Sequence, residues 1–193
     1  MSQIDHTLAA PTTSARFALR SSTAESHARL DALFSTFDLA DPLDYGLFLQ
    51  AQASAFVPME EALDAGGAAR VVADWPARRR APALSADLEA LGLPMPPPVA
   101  VPELPTEAAI LGALYVLEGS RLGGALLVRS VPEGLPKTFL TPGNPAAWRA
   151  FVTLLDQRLS SGAALAQASD AAASAFNAFA LSASQVLGPV GRD

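Results

Sequence analysis

Residues 107 to 131, "EAAILGALYVLEGSRLGGALLVRSV", read as one long apolar helix, yet its second half carries Gly119, Gly123 and Gly124. Each glycine inside a helix costs about 1 kcal/mol relative to alanine. A chain that keeps three of them there needs backbone close to something. One reading is a neighbouring helix, since glycines at i and i+4 let two helices approach. The other is a flat ligand pressed against main chain. The run "GSRLGG" fits neither the dinucleotide fingerprint nor the phosphate loop, and no strand precedes it.

The rest of the chain also reads as helix. Half the residues are apolar and only 17% are charged, a balance that favours packed helices over disorder. In "ARFALRSSTAESHARLDALFSTF" the residues Phe17, Arg20, Thr23, His27, Leu30, Phe34 and Phe37 recur every three or four positions, predicting one helix. Asp41-Pro42 starts a second, closed by Gly66-Gly67 and open to a kink at Pro58. Short helices broken at Pro76 and Pro82 follow, then a proline-rich surface connection, "GLPMPPPVAVPELP". Thr106-Glu107, Asn144-Pro145 and the chain after Gly162 begin the remaining helices. The expectation is an all-α, multi-helical single domain over 15–193, behind a loose leader over 1–14, with about five substantial helices and no strand.

Composition removes several functions. The net charge of −6 argues against a nucleic-acid partner, and the one basic run, "ARRR" at 77–80, reads as a solvated helix end or loop. With no cysteine there are no disulfides, iron–sulfur clusters or thiolate metal sites. The N-terminus lacks the pattern of a secretory signal, and no eighteen apolar residues run uninterrupted, so the chain is expected in the cytoplasm without a membrane partner.

Of the two histidines, His6 falls in the leader, which leaves any imidazole chemistry to His27. A lone histidine is poor for zinc, which takes three or four protein ligands, but suits a haem iron, where the porphyrin supplies the other nitrogens. Asp31, one helical turn on, is placed to accept the second imidazole N–H or to be a plain surface aspartate. Ser120 lacks the flanks of a nucleophile elbow. Glu60, Glu61, Asp64 and Glu118 are scattered acids without the Glu-x-x-His pairs of a di-iron bundle. Tyr45, Tyr115, Trp75 and Trp148 read as core.

Two segments, "LRSSTAESHARLDALF" and "LGALYVLEGSRLGGALLV", resemble the first helix and the distal helix of haem oxygenases, above all bacterial ones associated with bacteriophytochromes, and the layout agrees from residue 15 to about 187. The resemblance implies a haem-oxygenase-like fold with haem b as substrate and cofactor. It makes His27 the iron ligand, held by Asp31. Arg20 meets a propionate, and Thr23 joins the same cofactor surface. Gly119, Ser120, Gly123 and Gly124 lie over the distal face, with Gly119, Ser120 and Gly123 as the catalytic set. The implied reaction opens haem to biliverdin, carbon monoxide and iron, using O2 and electrons from a ferredoxin or another reductase, to supply a phytochrome chromophore. Ser120 stands where many members have an aspartate, and Ala125 where a glutamine often follows. The last helix lacks an arginine for the second propionate, for which Arg149 and Arg158 are candidates. The alternatives are a haem carrier of the same fold that leaves its haem intact, and a helical relative with an unrelated small ligand.

Overall fold

The computed structural model describes residues 14–188, and His6 with nearly all of the expected leader lies outside them. The helices are α1 (Ala15–Ser22), α2 (Ala24–Phe34), α3 (Pro42–Gly66), α4 (Ala68–Val71), α5 (Trp75–Arg78), α6 (Ala81–Ala90), α7 (Glu107–Leu127), α8 (Pro145–Arg158) and α9 (Gly162–Leu187), and no strand occurs among the described residues. They share one hydrophobic core. The helix starts read from sequence carry real caps. Side chains of Asp41, Thr106, Asn144 and Ser161 accept backbone N–H groups of the first turns of α3, α7, α8 and α9, and Gly67 closes α3 at φ 85°.

Alanine-rich α9 runs through the centre, touching α1, α2, α3 and α7. Its buried face is built from Ala168, Ala171, Ala172, Ala175, Ala178 and Ala183, small enough for neighbouring backbones to come near. The closest approach is at Gly112 of α7, where an added Cβ would fall 2.1 Å from the Ala168 carbonyl oxygen. The glycine that permits helix packing is therefore Gly112, a full two turns before the cluster at 119–124. Among the described helices only α7 has the length and apolarity to span a bilayer, and half of that stretch is buried within this fold.

Four expectations are corrected. The first helix is two, broken at Thr23, where the Thr23 N–H, the Thr23 hydroxyl and the Ser22 hydroxyl all donate to the Leu19 carbonyl and bend the chain. Pro76 and Pro82 begin α5 and α6 instead of breaking helices, because a first turn has no use for the missing N–H. The proline-rich segment is irregular but docked. Pro58 leaves the Ser54 carbonyl without its helical donor, and Val99 N–H fills the place at 2.9 Å while Ser54 Oγ donates to the Pro97 carbonyl. Lastly, the basic run is only half solvated. Arg78 and Arg80 are buried, Arg78 pairing with Asp74 and Glu118, and Arg79 pairs with Glu60 and Asp64, so Glu60, Asp64 and Glu118, scattered in sequence, meet it.

Candidate haem cleft

A cleft of about 360 Å³ opens between α1 and α2 on one side and α7 and α8 on the other. From the first pair come Arg16, Arg20, Thr23 and His27, spaced three or four apart so that they share a face across the break, with Ala24 beside Thr23. From α7 come Tyr115, Gly119 and Leu122 at the same spacing, and from α8 comes Trp148. The volume is of the order of small-molecule sites.

His27 is the one histidine among the described residues. Its Nδ1 lies 2.8 Å from Asp31 Oδ2, a contact that holds the proton on Nδ1 and leaves Nε2 as the basic nitrogen. The ring meets Phe176 of α9 edge-on at 5.5 Å, which limits its rotation. No group of three or more metal-ligating side chains forms among the described residues. The donor set thus suits an ion that brings most of its own ligands.

The glycines part company. Gly119 lines the cleft, and a Cβ there would meet nothing within 4 Å. Gly123 also faces open space but is not part of the cleft wall, and Gly124 is buried, where a Cβ would meet the Leu140 side chain at 3.5 Å. Ser120 turns aside as well. Its hydroxyl donates to the Leu117 carbonyl at 2.7 Å and accepts from Arg80 Nη2 at 2.5 Å. Arg80 lies between the rings of Phe56 and Phe139, 4.5 and 4.9 Å away, where burial and the nearby Arg121 push its pKa down. Of the expected site, Arg20, Thr23, His27 and Gly119 line one cleft with Asp31 behind His27, whereas Ser120, Gly123 and Gly124 do not line it.

Five lining residues escaped the sequence reading, Ala24 beside Thr23 among them. Tyr115 and Leu122 sit one turn either side of Gly119, and Arg16 one turn before Arg20, so helical spacing alone could have found them. Trp148, on a distant helix, left no such signal. The assignment of Tyr115 and Trp148 to the core is corrected, since both are half-buried cleft walls, while Tyr45 and Trp75 are buried as expected. Phe17, placed on the inward face by periodicity, is instead 57% exposed.

Arg16 and Arg20 bring positive charge to the cleft. Burial raises the Tyr115 hydroxyl pKa and the Arg16 and Arg20 guanidiniums pull it back, which sets all three near one another. Arg16 lies over the Trp148 ring at 5.5 Å, and neither arginine has a carboxylate partner among the described residues. Of the two arginines suggested for a second propionate, Arg158 pairs with Glu107 at 3.2 Å, and Arg149 lines a separate cavity of about 340 Å³ beyond Trp148.

No family model matches the chain. The fold is that of a haem oxygenase. The structure of the NO- and CO-bound heme oxygenase from Neisseria meningitidis superposes with a TM-score of 0.78 over 93% of this chain and 95% of that one, at 22% identity. A "Heme oxygenase" of Xanthomonas campestris pv. campestris (strain 8004) is 41% identical over 116 residues, 54% of this chain and 67% of the relative. The chain belongs to the haem oxygenase family, enzymes that take haem as substrate and cofactor and degrade it. Membership makes it an enzyme, and the carrier reading and the unrelated-ligand reading fall away.

Proposed function

We propose that this enzyme opens haem b to biliverdin in the cleft between α1–α2 and α7, with carbon monoxide and iron as the other products. O2 is the oxidant, a ferredoxin or another reductase supplies electrons, and the biliverdin serves a phytochrome-type photoreceptor. The observation that carries the reading is that His27 and Gly119 line one cleft from opposite sides. Bound haem supplies the iron that takes up O2 and the ring that is oxidised, so the chain's own work is binding, orientation and exclusion of water.

His27 supplies Nε2 to the iron, with its tautomer fixed by Asp31. Gly119 keeps side chains off the opposite face, which offsets the cost of a glycine in a helix. Arg16, Arg20 and the Tyr115 hydroxyl give the propionates cationic, hydrogen-bonding partners. Because Ser120 is tied to Arg80 and Leu117, its hydroxyl is occupied inside the protein, and the cleft face of α7 around Gly119 offers main chain in place of an acidic side chain.

The test is reconstitution with ferric haemin. A sharp Soret band is expected that His27→Ala weakens or shifts. Reductant and oxygen should then replace it with biliverdin absorption, unaffected by catalase. A stable haem complex under those conditions would refute the proposed turnover, and identical spectra for His27→Ala and wild type would refute the ligand.

A further inference from the structure

The haem cleft and the cavity beyond it share two wall residues, Leu122 and Trp148. Behind that wall lies Arg78, 7% exposed. Its Nε donates to Asp74 at 2.8 Å, its Nη1 to Glu118 Oε2 at 2.9 Å, and its Nη2 to the Ala147 carbonyl at 3.3 Å. One guanidinium therefore grips α7 and α8 at once. The residue that follows each gripped residue is a cleft wall: Gly119 comes after Glu118, and Trp148 after Ala147.

We propose that Arg78 is a positioning residue for the haem cleft, fixing the separation of Gly119 from Trp148 and with it the seating of the porphyrin against the wall that α7 and α8 form opposite His27. The proposal rests on reading the cleft as the haem site. Arg78 does not itself line that cleft and acts through its two neighbours.

Arginine's planar fork matters here, because its donors leave one rigid plane in fixed directions and can hold two helices in register. Further contacts stiffen the joint. Arg121 donates from Nε to Glu118 Oε1 at 3.3 Å and from Nη2 to the Arg78 carbonyl, so the same two residues are tied a second time. Phe151 of α8 packs its ring 5.8 Å from the Arg78 guanidinium carbon. Burial opposes the charge on Arg78, but Asp74 and Glu118 more than offset it and hold its pKa above the ordinary value. If neutralising Glu118 were the whole purpose, lysine would serve; lysine offers a point charge and cannot span Asp74, Glu118 and Ala147 together.

Arg78→Lys in the full chain separates the two roles. Trp75 is 2% exposed, so acrylamide quenching of tryptophan fluorescence reads Trp148 without any ligand. With helix content unchanged by circular dichroism, the Trp148 quenching constant should rise about twofold and the haemin Kd about tenfold, with a broadened ferric Soret band. Unchanged quenching and an unchanged Soret band in a folded Arg78→Lys protein would overturn the proposal. Should that variant fail to fold, Glu118→Gln, which keeps the shape and removes the charge, is expected to give the same changes, and its silence would be equally decisive. A wild-type protein that bound no haemin would sink the haem reading alone, because the quenching comparison still reports whether Arg78 sets the wall.

Discussion

Asp31 Oδ2 stands 2.8 Å from Nδ1 of His27, one turn further along α2, with both side chains more than half exposed. A pair in that setting adds only about 0.3–0.5 kcal/mol to the helix. Its effect on the imidazole is larger than its effect on the fold, because a carboxylate on one ring nitrogen orients the ring and makes the other nitrogen a stronger donor to a metal.

Asp31→Asn should therefore leave thermal stability nearly unchanged while weakening haemin binding by about tenfold, the lower end of what such partners contribute to metal affinity. Titration of ferric haemin, followed at the Soret band, measures it. Equal affinities would show that Asp31 is a surface residue only.

A second expectation concerns the two arginines of the cleft. Arg16 and Arg20 have no acidic partner among the described residues, and both act on Tyr115. Arg16→Gln with Arg20→Gln should lower affinity for haemin by about tenfold, in keeping with the loss of charge-assisted hydrogen bonds to carboxylates. Haemin dimethyl ester, which has no carboxylates, should bind wild type and the double variant alike. A matching loss for the ester would mean that the arginines shape the cleft and do not read the propionates.

What the sequence made legible was mostly local. Caps, the Gly67 stop and the all-helical class follow from residues a few positions apart, and His27, Arg20 and Gly119 from helical spacing plus resemblance. What stayed hidden depends on partners far along the chain. Arg78 and Arg80 look like surface charge until Glu60 and Glu118 arrive from α3 and α7. Ser120 looks like a distal polar group until Arg80 claims it. Phe17 and Arg16 are adjacent, and with Ala15 and Leu19 turned to the core it is Arg16 that lines the cleft while Phe17 is left in solvent.

The glycines of α7 yield a graded prediction. Gly112→Ala puts a Cβ on the Ala168 backbone, which cannot retreat as a flexible side chain would, so a loss of about 1–3 kcal/mol is expected. Gly123→Ala meets open space and should gain up to about 1 kcal/mol from helix propensity. Gly119→Leu should fold but fill the cleft and lose haemin binding. Urea unfolding with haemin titration separates the three, and Gly119→Leu with wild-type affinity would count against main chain as the wall facing the haem.

Glu60 gives the pH dependence. Burial raises its pKa, against the opposing pull of the Arg80 and Ala81 N–H groups and of Arg79, so the folded protein holds this proton more tightly than the unfolded chain. Between the ordinary carboxylate value of 4.5 and the raised folded value, the folded state carries more protons, and stability contributed at this site falls as pH rises. It is regained as pH drops through the window, opposite to the behaviour of a surface carboxylate held by an ion pair. Glu60→Gln cannot ionise. It keeps one acceptor for the Arg80 N–H, which Glu60 Oε1 accepts at 2.6 Å, but surrenders the oxygen shared by Ala81 N–H and Arg79. The variant should thus be less stable than wild type at low pH, and the difference should narrow as pH rises through the window. Chemical denaturation of both proteins across the mildly acidic range is the measurement, and a gap that widened with pH would mean that the Arg79 pair outweighs burial.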